Sequence, residues 1–282
     1  MHKRLLVLGS SGMLGSCIFK YFSKNNGTEV FGLQRKESNN SNIFLLQDIL
    51  NQKELEKHLD KIKPTHIINC IGVIKQSNDI DNSMSTILIN SYLPHYLYNI
   101  SNNKKTRLIH FSTDCVFSGK RGKYSEEDFP DADDLYGRSK LLGEINKTNA
   151  LTLRTSIIGH EINSKNSLLE WFLSQKGSIK GYRKAIFSGL TTLEIASILD
   201  NFILDNNKLD GLYNLSSDPI DKYSLLNIVK EIYEKDIEIN EDNSFIIDRS
   251  LDSSLIRNRT NLQTNTWYEM IKNMHEFNRG NI

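Results

Sequence analysis

What this sequence lacks narrows it considerably. No apolar stretch approaches the ~18 residues of a membrane span, and the chain opens on a strand-like run, Leu5 to Leu8, rather than a secretory signal. Cysteine is scarce: Cys17, Cys70 and Cys115 lie apart, without CxxC spacing, in or beside apolar runs. That excludes a disulfide framework and a cysteine metal cluster, and points to buried free thiols in a reducing compartment. An excess of one charge is missing too. Lys+Arg 35 against Asp+Glu 34 leaves a formal net charge of +1, so no global field argues for nucleic acid or an anionic membrane surface. Neither an internal repeat nor a linker rich in glycine or proline divides the 282 residues. The expectation is a cytoplasmic α/β protein, one large domain with a smaller lobe, whose partner is a small molecule.

What is present begins with Leu5-Leu6-Val7-Leu8, an unbroken apolar run of the kind buried on both faces of a sheet. It stops at Gly9-Ser10-Ser11-Gly12-Met13-Leu14-Gly15, and a helical pattern of Leu14, Ile18, Tyr21 and Phe22 follows. Glycines between a strand and a helix let the backbone approach a pyrophosphate, whose charge the helix N-terminus favours. The next strand, Glu29 to Arg35, should end near the adenosine ribose. An acid there would bind the 2′-hydroxyl of NAD, whereas arginine accommodates the 2′-phosphate of NADP. Arg35 stands at that end and Glu29 at the opposite one, so NADPH is the expected cofactor. Asp48 follows a short strand and is expected near the adenine. Thr65 to Gly72 reads as another buried strand, its glycine allowing a ligand to come close. Asn90, in an apolar helix from Ile87 to Ile100, reads either as a tie to the active-site helix or as a satisfied core amide.

The segment from Ser112 to Glu144 carries the chemistry. An apolar run, Leu108 to Phe111, delivers Ser112 and Thr113 to the C-terminal edge of a strand, where open α/β sheets bind ligands. Asp133-Asp134 can cap a helix that carries Tyr136 and Lys140 four residues apart on one face. A nearby ammonium would draw the phenol from its usual ~10 toward neutrality, readying Tyr136 for proton transfer. Thr113 could steady a developing oxyanion. After Ala150 to Thr155, another parallel strand, the pattern becomes irregular. Ser167 to Ser174 and Leu225 to Tyr233 read as helices, and Thr191-x-x-Glu194 reads as a capping box opening a third. Residues 1–155 are therefore expected to bind the cofactor. Residues 156–282 should be mainly a small α+β substrate-binding lobe, with some elements returning to the first domain.

These motifs resemble the extended short-chain dehydrogenase/reductases, and among them the dTDP-4-dehydrorhamnose reductase (RmlD-like) family. The resemblance is carried by Gly9/Gly12/Gly15, Ser112-Thr113-Asp114-x-Val116-Phe117, Tyr124-x-Glu126 and Tyr136-Gly-x-Ser-Lys140-x-x-Gly143-Glu144. Leu153-Arg154-Thr155-Ser156 and Gly189-Leu190-Thr191 continue it. It implies a Rossmann-type doubly wound parallel sheet and a catalytic group of Thr113, Tyr136 and Lys140. The implied reaction is NADPH-dependent reduction of the C4 ketone of a nucleoside-diphosphate 4-keto-6-deoxyhexose. The cofactor set so expected is Gly9, Ser11, Gly12, Met13, Leu14, Gly15, Arg35, Asp48, Ile49, Cys70, Ile71, Gly72 and Asn90, with Tyr136 and Lys140. Val116, Ile157, Arg183 and Arg249 are the expected substrate contacts. Two positions depart from the family pattern: Ile157 stands where a tryptophan faces the sugar, and Cys17 stands where a carboxylate serves a magnesium-linked dimer. No metal is therefore expected, and the protein should be a monomer or homodimer. A nucleotide-sugar epimerase, a combined epimerase/reductase and a non-catalytic cofactor-binding subunit share enough of the pattern to compete. A 4,6-dehydratase is disfavoured, because Cys115 rather than an acid follows Asp114.

Overall fold

An apolar run with no alternation can be a strand only where both faces are covered. In the computed structural model, which describes residues 3–25, 27–74, 82–162 and 167–279, β1 (Lys3–Leu8) meets that condition. Leu5 and Val7 join one core with α1 (Met13–Ser23), while Leu6 and Leu8 join another on the opposite face. The chain continues through β2 (Thr28–Gln34), β3 (Ile43–Leu45), α2 (Gln52–Ile62), β4 (His66–Asn69), α3 (Ser83–Ile87) and α4 (Leu93–Asn103). Next come β5 (Arg107–Thr113), α5 (Leu135–Leu142), β6 (Ala150–Thr155), β7 (Ile157–Ile158), α6 (Leu168–Ser174), β8 (Ser178–Tyr182), β9 (Ala185–Phe187) and β10 (Leu190–Thr191). The remainder comprises α7 (Thr192–Ile198), β11 (Gly211–Asn214), β12 (Ile220–Asp221), α8 (Lys222–Ile232), β13 (Glu238–Asp242), β14 (Ile247–Asp248), α9 (Ser254–Thr260) and α10 (Trp267–Arg279).

Seven strands form one sheet in the order β11-β6-β5-β4-β1-β2-β3, every pair parallel. The order reverses between β1 and β4, which opens a crevice at their C-terminal ends. One face carries α1, α7 and α10, and the other carries α2 and α4. The helix expected from Ile87 is part of a longer composite one: α3 runs through a π-helical turn, Leu88–Tyr92, into α4. Asn90 lies in that π turn, and such turns often mark functional sites.

The smaller elements follow their local signals. Thr191 caps α7 by accepting from the Glu194 amide at 3.2 Å, yet the expected reciprocal box does not close. The Glu194 carboxylate instead accepts from the backbone and side chain of Asn265, both at 2.9 Å. Tyr124-x-Glu126 is an architectural motif: Glu126 accepts from the Asn214 amide at 2.7 Å, while the Asn214 side chain donates to the Tyr124 carbonyl at 2.8 Å. Above the sheet edge, β8 pairs with β13, and β9 lies between β12 and β14.

Candidate active site

A tight turn after β1 sets up the first part of the site. Gly9 takes φ +79°, and any Cβ on Gly15 would collide with the Gly9 carbonyl, so α1 begins directly against the turn. No side chain caps this helix and no acid occupies its first turn, while Ser11, Gly12, Met13 and Leu14 line the cleft. An uncapped N-terminus facing a crevice at the sheet edge fits a pyrophosphate. Cys70, Ile71 and Gly72, just after β4, line the same cleft. Cys70 and Cys115 were expected as buried core thiols. Both are half-buried in the cleft wall, and burial raises each, Cys115 to about 12.

At the end of β2, Gln34 accepts from the Ser10 hydroxyl at 3.2 Å and donates to the Lys36 carbonyl at 2.9 Å. Arg35 is exposed beside it. Asp48 is exposed, accepting from the Leu50 amide at 2.9 Å, and Ile49 packs against the core. Neither lines the cleft wall. Asn90, expected to touch the cofactor, is 1% exposed and committed elsewhere: it accepts from the Val73 amide at 2.9 Å and donates to the Val73 carbonyl and the Ser139 hydroxyl. It ties the loop after β4 to α5 and so acts through them.

Asp134 caps α5 by accepting from the Gly137 amide at 2.7 Å, which places Tyr136 and Lys140 on the face toward the sheet edge. Lys140 is 5% exposed and donates to the Phe111 carbonyl at 2.6 Å. Burial pushes it down to about 8, against the opposing pull of Glu144. Tyr136 does not behave as the spacing alone predicts. Burial raises its pKa, Cys115, Asp114 and Asp134 add to the rise, and only a hydrogen bond with Thr113 lowers it. The Lys140 ammonium is held at the Phe111 carbonyl. At neutral pH the phenol therefore keeps its proton, the state a general acid needs. Thr113 donates to Asp114 at 3.2 Å and accepts from the Cys115 amide at 3.1 Å.

Behind this group, Arg154 donates twice to Glu144, at 2.8 and 2.7 Å, and Ser112 donates to the same carboxylate at 2.7 Å. The pair is almost fully buried, 3% and 7% exposed at the side chains, and it locks the end of α5 to β5 and β6. Gly143 completes the fit, since a Cβ there would strike the Asn90 carbonyl.

The cleft has a volume of about 780 Å³. Its far wall includes Ile157 and Arg249, as expected, with Arg249 donating to the Phe117 carbonyl at 3.0 Å. Two expected substrate contacts are not there. Val116 is fully buried with Phe117, Tyr124 and Leu251, in a small core that the stacked Phe117 and Tyr124 rings build at 4.2 Å. Arg183 lies outside the cleft wall, paired with Glu241 at 3.0 Å and Ser224 at 3.0 Å and set over the Tyr223 ring. Sequence reasoning missed Trp171, Tyr182, Phe187, Lys222 and Phe245, all in the wall. Their spacing carries no periodic signal, because α6, β8, β9, α8 and the loop before β14 bring them together only in three dimensions.

The strand order, the glycine turn and the Thr–Tyr–Lys group at the sheet edge define a Rossmann-type protein of the short-chain dehydrogenase/reductase kind. Residues 3–178, more than half of the chain, match the family described as the RmlD substrate binding domain, and the chain belongs to that family. It is 28% identical over 226 residues to the dTDP-4-dehydrorhamnose reductase of Aggregatibacter actinomycetemcomitans, covering 77% of this chain and 74% of that one. It is 29% identical over 143 residues to methionine adenosyltransferase 2 subunit beta of Danio rerio, covering 51% of this chain and spanning only 43% of that protein. Among solved structures, dTDP-4-dehydrorhamnose reductase from Bacillus anthracis, in complex with NADP, superposes with a TM-score of 0.81 at 19% identity over 98% of this chain and 99% of that one. At that identity the likeness is one of fold.

Proposed function

We propose that this protein is an NADPH-dependent reductase of the C4 ketone of a nucleoside-diphosphate 4-keto-6-deoxyhexose, serving deoxysugar or surface-polysaccharide synthesis. The observation that carries the reading is the protonated Tyr136 beside Thr113, in a cleft that also receives the open N-terminus of α1. The relative named as a dTDP-4-dehydrorhamnose reductase supports it. When bound, the dihydronicotinamide supplies the hydride. Ser11 to Leu14, Cys70 to Gly72 and Lys140 hold the cofactor. The Thr113 hydroxyl turns from Asp114 to donate to the ketone oxygen, and Tyr136 gives its proton to the alkoxide that forms, leaving a secondary alcohol. Residues 1–155 carry the cofactor and 156–282 most of the substrate contacts, Ile157 and Arg249 among them. The reading places the protein in the cytoplasm as a monomer or homodimer, with no metal in the reaction.

Arg35 at the end of β2, where an acid would select NAD, supports NADPH. A second reading, a non-catalytic cofactor-binding subunit, draws on the likeness to methionine adenosyltransferase 2 subunit beta. The intact Thr113, Tyr136 and Lys140 favour catalysis. The deciding experiment follows NADPH absorbance with a panel of 4-keto sugar nucleotides. Stoichiometric loss is expected, NADPH should outperform NADH, and Arg35→Asp should remove that preference. Binding of NADPH without turnover of any panel member would establish the second reading instead.

A further inference from the structure

The far wall of the cleft contains a cation that the reaction above does not use. Lys222 occupies the first position of α8, after the Asp221 cap, where the helix dipole disfavours a positive charge. Its side chain is half-buried in the cleft wall, with the ammonium 3.9 Å from the centre of the Phe187 ring. Among the described residues no carboxylate lies within ion-pair distance and no acceptor within hydrogen-bond distance. The carboxylate that acts on it most strongly is Asp114, which is 5% exposed, accepts from Thr113 and also faces the cleft. The ammonium is not sealed among protein atoms but stays open to the cleft, which leaves its donors directed at whatever enters there. Since Asp114 adjoins Thr113, this is the end of the cleft where the ketone would lie.

We propose that Lys222 is a sugar-binding residue: its ammonium donates to an oxygen substituent of the hexose while Asp114 accepts from a neighbouring hydroxyl, holding the ring against Thr113 and Tyr136. The proposal rests on the reductase reading and adds to it a specificity: a hexose bearing an oxygen acceptor beside the ketone. The remaining groups at that end are arranged for such a role. Burial lowers Lys222 to about 8, with Asp114 acting to keep it charged, and Arg249 shares the field of Asp114.

The test compares, by calorimetry, binding of dTDP with dTDP-glucose and of UDP with UDP-glucose to the full-length protein and to Lys222→Met and Lys222→Gln, alongside NADP. A hydrogen bond to a charged donor corresponds to about 10- to 100-fold in affinity. The gain in affinity from adding the glucosyl group should therefore collapse by that factor in both variants. Affinities for the bare nucleotides and for NADP should be unchanged, and Lys222→Arg should restore part of the gain. An unchanged gain in Lys222→Met overturns the proposal. So does a parallel loss of all affinities, NADP included, which would mark Lys222 as a packing element. If the unaltered protein binds none of the four nucleotides, the reductase reading fails first and takes this assignment with it.

Discussion

The two walls of the cleft differ in how their polar groups are engaged. On the sheet edge every functional side chain is held by at least one named partner: Lys140 by the Phe111 carbonyl, Thr113 by Asp114 and Cys115, Glu144 by Ser112 and Arg154, Asn90 by Val73 and Ser139. On the far wall Trp171 and Phe245 are 38% and 49% exposed, Tyr182 meets Phe245 at a tilted 5.4 Å, and Lys222 has only an aromatic face beneath it. Apart from the Thr113 hydroxyl, which turns toward the ketone, the first wall is held in place before any ligand arrives, as proton transfer requires. The second is a set of adaptable surfaces, suited to substrates that share a ketone and differ in their substituents. Chemistry and selectivity are thus separated by the width of the cleft.

The largest effect should come from removing the one proton donor. Tyr136→Phe keeps the ring and its packing, so NADPH binding should hold while turnover falls by ~10²–10⁴-fold; retention of full turnover would show that the sheet edge is not the chemical wall. Next comes the lock behind it. Glu144→Ala leaves the Arg154 guanidinium buried without its carboxylate, and urea denaturation should show a loss of about 3–5 kcal/mol, whereas Trp171→Ala should stay within about 0.5 kcal/mol. Similar losses at both positions would erase the contrast in rigidity.

A pH profile sharpens the comparison further. Lys140 is held down to about 8 by burial, so its ammonium is present below that pH and lost above it. The rate with bound substrate should decline as pH rises through about 8, and Lys140→Arg, which keeps its charge at higher pH, should move that limb upward. A limb that stays in place would assign it to another group. Smaller still, Phe245→Ala should raise KM for the sugar nucleotide by up to about tenfold, in line with loss of one aromatic contact, with kcat unchanged. Prolonged EDTA treatment should change neither activity nor oligomeric state, since Cys17 replaces the metal-linked carboxylate of the family pattern; loss of either on chelation would reverse that expectation.

What the sequence disclosed follows the same division. Strands buried on both faces, the glycine turn and the Tyr136–Lys140 spacing depend on residues close together in the chain, and each was legible. The order β11-β6-β5-β4-β1-β2-β3 was not, because register between distant strands leaves no local pattern. The electrostatics of Tyr136 was misjudged because sequence spacing reports proximity to Lys140 but not the Phe111 carbonyl that holds the ammonium. Val116 was expected to contact the substrate, yet the turn after Thr113 rotates it inward. Lys222 was invisible, since a lysine at the start of an amphipathic helix looks like any solvated one until Phe187 and the cleft surround it.

The packing of α7 and α10 against α1 imposes an order in time. The apolar side of α1, with Leu14, Ile18, Phe19 and Phe22, is covered by Ile195, Ile198 and Leu199, and behind them by Met270, Ile271 and Met274. Lys20 also donates to the Phe277 carbonyl at 3.3 Å and lies over the Phe277 ring. During synthesis this first helix leaves the ribosome long before the segments that shelter it. At roughly 5–20 residues per second, the nascent chain carries an unsheltered helix for on the order of ten seconds or more before residues 192–203 emerge. Translation speed, chaperone access and any truncation near residue 155 therefore act on the same exposed surface, and a chain shortened there should aggregate rather than persist as a free-standing cofactor domain.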